Sequence, residues 1–386
     1  MNKTDLTTVI DLRKTLHKNP ELSGFEFETA KRIQQFLAQN QPTNIIENIG
    51  GTGLAAVYQF SNAGKTIAIR CELDALPIQE VNQFDHQSKT EGISHKCGHD
   101  GHMAIVSGLG FWLKEQNFNS GKVVLLFQPA EENGEGAHAV VNDEKFKNLR
   151  IDYIFALHNI PKEPMHSIIA IQKGFSAEVQ SFIIKVKGKE SHAAEPENGI
   201  NPALAISKII ANLSSLEVIN PAADNFTIMT PVHLKMGQKS YGISPADGEL
   251  HYTLRAWDTA KMELVKSQIV KAVIKTCEHY QLKHTIDWIE YFPASINDSE
   301  CNDYVVKAAT ENNFNLIQKP HPFKFGEDFG WYAKEYKTAM FGLGAGIETP
   351  ALHNADYDFP DEIIETGINM FRSIISTILQ NFDQKL

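Results

Sequence analysis

The chain has 386 residues, of which 42% are hydrophobic and 22% are charged, as expected of a globular protein with two or three domains. Its formal net charge of −11 argues against a nucleic-acid partner and against binding to an anionic membrane surface. The sequence has no apolar run of bilayer-spanning length and no signal-peptide pattern, and its four cysteines lack a disulfide spacing, so we expect a reducing, cytoplasmic setting.

The first part of the chain alternates between helical and strand patterns. Helical spacing and short apolar runs predict, in order, helices over 4–18 and 25–39, strands over 53–60 and 66–71, a helix over 103–113, a strand at 123–127, a helix from 136 and a strand from 151. Such alternation predicts an α/β domain, with a sheet that is mostly parallel at its centre and has helices on both faces.

The pattern changes after Gly174. It predicts strands from 182 and over 226–236, 249–257 and 284–291, with helices over 201–216 and 259–280. The resulting β-α-β-β-α-β order predicts a ferredoxin-like α+β domain inserted into the first domain. Helical and strand patterns resume at 303 and continue to 379. We therefore divide the chain into a first domain formed by 1–177 and 291–386 and an inserted domain over 178–290.

The segment from His95 to His102 carries a thiol, three imidazoles and a carboxylate within eight residues. Cys97 and His99 are two residues apart, so both side chains can converge on one point, and thiolate and imidazole are the ligands that hold zinc and similar metals. Taken alone, this pair is better explained as a buried thiol beside loop histidines. Glu131-Glu132 and His158 each follow a predicted strand, however, and together these positions predict a metal site at the carboxyl edge of the sheet.

Two adjacent carboxylates usually belong to a solvated face, but Glu131 and Glu132 follow the end of a strand. Because adjacent side chains cannot do the same job, one can bind a metal while its neighbour faces the water beside it. A metallohydrolase needs this division between a Lewis acid, a water molecule and a nearby base. The glycines between 342 and 346 do not indicate a phosphate loop, since neither an immediate helix nor a Lys-Ser/Thr pair follows them.

Eight short motifs run along nearly the whole chain: Leu16-His17-x-x-Pro20-Glu21-Leu22, Asp74-Ala75-Leu76-Pro77, Cys97-Gly98-His99-Asp100-x-His102, Gln128-Pro129-Ala130-Glu131-Glu132, Leu157-His158-Asn159, His192-Ala193-Ala194-x-Pro196, Glu327-Asp328-Phe329 and Leu352-His353-Asn354. In these motifs and in their order the chain resembles the M20 metallopeptidase superfamily. Within it, the chain is most similar to the amidohydrolase/aminoacylase branch of hippurate hydrolases, N-acetyl-diaminopimelate deacetylases and auxin-conjugate hydrolases.

The resemblance implies a two-metal site in the first domain, which would then be the catalytic domain. The metals would be zinc, manganese, cobalt or nickel, and their ligands would be Cys97, His99, Glu132, His158 and His353. It also implies that Glu131 is the general base, that the inserted domain is a lid and a homodimerisation surface, and that His192 on this lid reaches a substrate carbonyl.

Several residues near the site are given other roles. The family usually has Asp where this chain has Glu72, and the longer side chain can alter the surroundings of the metals, so neither Glu72 nor Asp74 is included among the ligands. We expect His95, His102 and His138 to be structural or supporting residues, and Cys71 to be a buried strand thiol. On the inserted domain, Arg255 either pairs with a substrate carboxylate or forms a surface ion pair.

The function expected from these observations is hydrolysis of the amide bond of N-acyl amino acids or related small amides, with a water activated by metal and a glutamate base. Three alternatives stay open. The chain is a dipeptidase or carboxypeptidase on short peptides, a non-catalytic metal-bound binding protein, or a thiol hydrolase using Cys97. The intact Glu131 counts against the binding protein, and metal chelation would spare a thiol hydrolase.

Overall fold

A computed structural model describes residues 1–383, so the last three residues of the predicted segment 291–386 lie outside the described part. The chain forms two compact units. Unit 1 consists of Met1–Phe175, Ser295–Pro320 and the chain from Glu327 onward, and unit 2 consists of Ser176–Ala294 and His321–Gly326.

Helices and strands are numbered along the whole chain. The helices are α1 (Lys3–Lys18), α2 (Phe27–Ala38), α3 (His99–Leu113), α4 (Gly136–Asn142), α5 (Glu144–Lys147), α6 (Ala203–Ser214), α7 (Thr259–His279), α8 (Ser299–Glu311), α9 (Gly330–Ala333) and α10 (Ile364–Asp383). The strands are β1 (Asn44–Ile49), β2 (Gly53–Gln59), β3 (Thr66–Glu72), β4 (Lys122–Gln128), β5 (Tyr153–Ile160), β6 (Ile168–Ile171), β7 (Glu178–Lys187), β8 (Ser191–His192), β9 (Thr227–Met236), β10 (Ile243–Ser244), β11 (Asp247–Ala256), β12 (Lys283–Phe292), β13 (Leu316–Lys319) and β14 (Lys337–Gly344).

The large sheet of unit 1 is mixed, with the strand order β1-β2-β4-β3-β5-β14-β6-β13. Its four central strands, from β4 to β14 in that order, pair in parallel, whereas β1, β2 and the β14–β6 contact are antiparallel. Every residue of β3 and β5 is buried, as expected for strands covered on both faces. The predicted α/β class is confirmed.

The two faces of the central sheet carry different chemistry. On one face, alternate β3 residues (Ile67, Ile69 and Cys71) pack into the main hydrophobic core together with α1, α3 and α10. Cys71 is thus the buried strand thiol that the sequence predicts. On the other face, Arg70 contacts Asp328, whose carboxylate also accepts a hydrogen bond from the first turn of α4.

Helix α3 begins at His99, four residues before the predicted start at Met103, and this changes the geometry of the site. The chain enters the helix through Gly98, which has φ of +99°, and a Cβ there would lie 2.7 Å from the Asn159 side chain. Only glycine fits such a close, left-handed approach. Nearly every residue of α3 is buried, including its polar first turn, so the helix lacks the contrast between a polar exposed face and an apolar buried face that a periodicity argument needs.

Other boundaries also differ from the prediction. Strand β3 extends to Glu72, and His158 lies inside β5 rather than after it. Strands β1 and β6 were not predicted, because the three isoleucines of β1 do not alternate with its polar residues and β6 is only four residues long.

Unit 2 has a four-stranded antiparallel sheet in the order β12-β7-β11-β9. Along the chain its elements run β7, α6, β9, β11, α7, β12, and buried residues alternate with half-exposed ones along β11 because one face of the sheet packs on the two helices. The helix α7 begins after Asp258, whose carboxylate accepts the backbone N–H of Lys261. None of the described helices combines the length and the apolar character that a bilayer span requires.

Candidate metal centre

The residues predicted as metal ligands in unit 1 come together. Cys97, His99 and His158 offer ligand atoms that all lie within 4.8 Å of one another, and so do Cys97, Glu132 and His353. Cys97 belongs to both groups, so its sulfur lies between two sets of donors. Four of the five predicted ligands are buried or nearly so, and the fifth, His353, has a side chain that is 53% exposed.

The buried imidazoles are oriented by hydrogen bonds to backbone carbonyls. His99 donates from Nδ1 to the carbonyl of Asp74 at 2.8 Å, and His158 donates from Nδ1 to the carbonyl of Asn159 at 2.9 Å. In a neutral imidazole this leaves Nε2 with the lone pair, as in metal-binding histidines whose other nitrogen is hydrogen-bonded. The Nε2 of His158 lies 3.5 Å from the sulfur of Cys97, and the buried Nε2 of His99 has no hydrogen-bond partner within residues 1–383.

The electrostatics of the centre favour bound cations. Burial and the neighbouring carboxylates raise the pKa of Glu131 well above its usual range, and burial raises the pKa of Glu132 to about 7. Burial lowers the pKa of His99, but the hydrogen bond with Asp74 and the charge of Glu72 raise it more, to about 10. The centre therefore attracts positive charge to the Nε2 of His99, whether a proton or a metal ion.

The thiol and the buried oxygen atoms lead to the same conclusion. Burial and the nearby glutamates raise the pKa of the Cys97 thiol, so a thiolate at this position needs a cation beside it. One carboxylate oxygen of Glu132 and one of Asp74 are buried without a hydrogen-bond partner in the part of the chain that the structure describes. A set of sulfur, imidazole and carboxylate donors fits zinc and the neighbouring divalent transition metals.

The adjacent glutamates contact different partners. Glu132 faces both histidines, with its two carboxylate oxygens 3.8 Å from Nε2 of His99 and 3.9 Å from Nε2 of His353. Glu131 places Oε2 3.8 Å from Nε2 of His99, while its Oε1 accepts a long hydrogen bond, 3.4 Å, from the backbone N–H of Asp328. The turn before them contains Ala130 with φ of +50°, a left-handed conformation that needs support from its surroundings.

That support comes from Glu26, a residue to which the sequence assigned no role. Its buried carboxylate accepts the backbone N–H of Ala130 at 2.8 Å and that of Gly24 at 2.9 Å, and its other oxygen accepts the hydroxyl of Thr52 at 2.6 Å. Because these contacts join segments up to 104 residues apart, no local pattern could have identified them.

Both carboxylates that were left out of the ligand set support other residues of the centre. Asp74 accepts the hydroxyl of Ser23 at 2.7 Å and the backbone N–H of Glu132 at 2.9 Å. Glu72 forms an ion pair with Arg70 and a 2.7 Å hydrogen bond with Nδ1 of His102. The carboxylate at the position usually held by Asp therefore has two partners of its own, although Glu72, His99 and His102 also offer ligand atoms within 4.8 Å of one another.

Four other histidines near the predicted site of unit 1 have varied surroundings. His353 has φ of +65° and its backbone N–H donates to the carbonyl of Lys96 at 2.8 Å, which fixes its loop beside the Cys97 segment. His102 lies between Glu72 and Asn159. Burial lowers the pKa of His95 to about 3, so its ring is neutral, and neither ring nitrogen has a hydrogen-bond partner among the residues described. His138 packs on the ring of Trp331.

The two site residues predicted in unit 2 are held by few contacts. His192 is exposed, and its Nδ1 accepts the backbone N–H of Ala194 at 3.0 Å, so the neutral ring carries its proton on Nε2. Arg255 donates from Nη1 to the carbonyl of Lys324 at 2.8 Å, and burial lowers its pKa. The roles of both residues stay predictions.

Residues 68–377 match the family described as Peptidase family M20/M25/M40. The chain belongs to this family. It is therefore a metal-dependent hydrolase of amide C–N bonds, and the resemblance drawn from its motifs is confirmed.

Three relatives match over nearly their whole lengths. The N-acetyl-L-cysteine deacetylase of Bacillus subtilis is 33% identical over 394 residues, covering 100% of this chain and 92% of that protein. The hippurate hydrolase of Campylobacter jejuni is 30% identical over 365 residues, covering 94% of each. A crystal structure described as a dinuclear metal-binding peptidase of the M20 family from Bacillus subtilis has a TM-score of 0.85 and 27% identity, covering 98% of this chain and 99% of that one.

Proposed function

We propose that this enzyme hydrolyses N-acyl amino acids or closely related small amides, releasing a carboxylic acid and an amine. The observation that carries this proposal is the pair of ligand groups that share Cys97, next to a second carboxylate, Glu131, whose Oε2 lies 3.8 Å from Nε2 of His99. The names of the two curated relatives, a hippurate hydrolase and an N-acetyl-L-cysteine deacetylase, support this substrate class.

Two divalent metal ions would be held by Cys97, His99, Glu132, His158 and His353. A related crystal structure is described as dinuclear, and the donor atoms here form two groups. When bound, the metals supply Lewis acidity toward the substrate carbonyl and lower the pKa of a water molecule.

Glu131 would move the proton during hydrolysis. Its Oε2 faces the centre while its Oε1 is held by the backbone N–H of Asp328, so one oxygen is available to take a proton from the attacking water. Its surroundings raise the pKa of this carboxyl group, which favours holding that proton until it is passed to the leaving nitrogen.

Residues of unit 2 would act on the substrate. With Nδ1 occupied by the backbone, His192 would donate from Nε2 to the oxygen of the scissile carbonyl as negative charge develops there. Arg255 would pair with the substrate carboxylate through the donors that Lys324 leaves available. A lid role for unit 2, a homodimer formed through it and a cytoplasmic location stay predictions.

The test combines a substrate panel with the two adjacent glutamates. Metal-stripped enzyme is reloaded with zinc, manganese, cobalt or nickel and assayed with hippurate, N-acetyl-L-cysteine and unblocked dipeptides. We expect N-acyl amino acids to be preferred. Glu131→Gln should retain its metals and lose on the order of 10²–10⁴ in kcat, the usual contribution of a general base, whereas Glu132→Gln should lose metal.

Each result has a separate meaning. Turnover of dipeptides alone would refute the substrate class, and full activity after metal removal would refute the metal centre. If Glu131→Gln loses its metals and Glu132→Gln keeps them, Glu131 is the metal ligand and Glu132 is the base. Cys97→Ala is the third variant, and full metal content in that protein would remove the sulfur from the ligand set.

A further inference from the structure

Unit 2 carries a second group of metal-ligating side chains, and none of its members is among the proposed ligands of unit 1. His233 on β9 and Glu249 and His251 on β11 offer ligand atoms that all lie within 4.8 Å of one another. The hydrolytic reaction proposed above uses none of the three residues.

The register of the sheet brings these three side chains to one face. His233 and His251 are direct partners across the antiparallel β9–β11 pair, and Glu249 is two residues from His251, so all three side chains point to the same side. The register shifts immediately after this pair, where Tyr252 opposes Pro231 and Val232 is left as an extra residue in β9. Such a bulge re-aims neighbouring side chains, here next to His233.

The side chains are already close to the arrangement that a metal requires. The two imidazole rings meet edge to face with their centroids 5.1 Å apart, and Nε2 of His251 lies 3.5 Å from a carboxylate oxygen of Glu249. Donors bonded to a tetrahedral zinc at about 2.0–2.2 Å lie about 3.4 Å apart. The His251–Glu249 separation therefore already matches that spacing, and only the exposed side chain of His233 needs to adjust.

The nitrogen of His251 that faces Glu249 supports a ligand role. This Nε2 is a buried atom with no hydrogen-bond partner among the described residues, although the ring as a whole is 28% exposed. A buried ring nitrogen without a hydrogen bond is unfavourable unless a ligand satisfies it. Two lysines lie opposite Glu249 on the neighbouring strands, Lys235 on β9 and Lys185 on β7. Lys185 forms a 2.8 Å ion pair with Asp287.

We propose that His233, Glu249 and His251 form a third metal site, which binds a divalent transition ion such as zinc and joins the edge strand β9 to β11. Two imidazoles and one carboxylate are a donor set that such ions prefer, and three protein ligands leave a coordination position for water or another donor. The site goes beyond the proposed hydrolytic function and does not depend on it.

The test counts zinc on the whole enzyme and compares variants. Protein that retains its tightly bound metals is titrated with Zn²⁺ by calorimetry, and its zinc content is measured after equilibrium dialysis. We expect one more equivalent per chain in the wild type than in His233→Ala. Because His233 is exposed, we expect His233→Ala to fold as the wild type does, so the difference would not come from unfolding. A matched control, His279→Ala, removes another exposed histidine of unit 2 outside the group and should bind as the wild type does.

Affinity gives the second measurement. Loss of His251 should weaken binding of the additional zinc by at least about 100-fold, the upper range for removing a residue that only supports a ligand. Equal zinc content and affinity in the wild type, His233→Ala and His251→Ala would overturn the proposal. That result would mean that the three side chains lie close together without binding a metal. Because the readout is a difference between variants, it is independent of whether the hydrolytic substrate has been identified correctly.

Discussion

The candidate site residues of the two units are held in opposite ways. In unit 1, Cys97, His99 and His158 are buried and both rings are fixed by backbone carbonyls. In unit 2, His192 is exposed and is restrained by a single backbone N–H. The unit 1 donors are therefore ordered before anything binds, whereas His192 must lose side-chain freedom when it contacts a substrate. Preorganisation favours tight metal binding, and a mobile donor suits an interaction made in the transition state.

The order in unit 1 depends on buried charge. Arg70, with a fully buried side chain, contacts three carboxylates, those of Glu72, Glu327 and Asp328. Gln128 adds a neutral partner by accepting from Nε of Arg70 at 2.8 Å. This guanidinium joins the end of β3 to the segment after Glu327, which also provides the N–H group that holds Glu131. Arg255 of unit 2 differs, since its guanidinium donates to one backbone carbonyl, that of Lys324.

The largest effect on stability should come from removing this cation. Arg70→Met leaves three buried carboxylates without their positive partner, and breaking a buried ion pair by removing one member costs about 3–5 kcal/mol. We expect the free energy of unfolding, measured by urea titration of the metal-loaded protein, to fall by that amount. Arg255→Met is the matched control and should fall by less than about 1 kcal/mol. If both variants lose the same stability, the contrast between the units is wrong.

The next effect tests the exposed residue. His192→Ala should leave metal content and the unfolding midpoint unchanged, because the side chain is exposed and accepts its hydrogen bond from Ala194 in the same loop. If it donates to the developing oxyanion, kcat should fall by about 10²–10³, the usual loss for one such donor. Steady-state kinetics with the best N-acyl amino acid provides the measurement. A variant with near-normal kcat would remove His192 from the reaction.

A mixing experiment separates two ways in which His192 can act. If the histidine serves the site of a partner subunit, mixing His192→Ala with Glu131→Gln protein should restore part of the activity through heterodimers. Each inactive chain then contributes the residue that the other lacks. Failure of this mixture, with kcat still low in His192→Ala alone, would mean that the residue acts within its own chain.

Local patterns were enough to predict that Cys97, His99 and His158 lie near the Glu131-Glu132 pair, whereas the full ligand set, with His353, came from the family resemblance. Cys97 and His99 are close in sequence, and Glu132 and His158 each belong to a buried strand or follow one, so the strand order brings them to one edge. The contacts that hold these ligands could not be predicted in the same way. Arg70 and Asp328 are 258 residues apart, and Glu26 and Ala130 are 104 apart, so their pairing depends on the folded chain rather than on spacing.

Burial explains the error at the start of α3. Sequence periodicity identifies a helix from the contrast between an apolar and a polar face, and the first turn from His99 to His102 has three polar residues and a glycine, all of them buried. The group in unit 2 escaped notice for a different reason. His233 and His251 come from separate strands, and only the register set by the bulge makes them direct partners.

The smallest effect concerns His17, a buried residue of unit 1 whose ring lies between two carboxylates, 2.8 Å from Asp100 and 3.0 Å from Glu80. Burial lowers the pKa of this imidazole, but the charge of Asp100 and the hydrogen bonds raise it more, to about 9 from a usual 6.5. Because the folded pKa is the higher one, the stabilisation is complete below pH 6.5 and is lost as the pH rises through 9. The difference in pKa corresponds to about 3 kcal/mol.

We therefore expect the stability advantage of the wild type over His17→Gln to shrink by about that amount between pH 6 and pH 10. Urea titrations of the metal-loaded proteins across this range give the measurement. His192→Ala, which removes an exposed histidine instead, should follow the wild type throughout, and an advantage over His17→Gln that does not change with pH would mean that His17 is neutral in the folded protein.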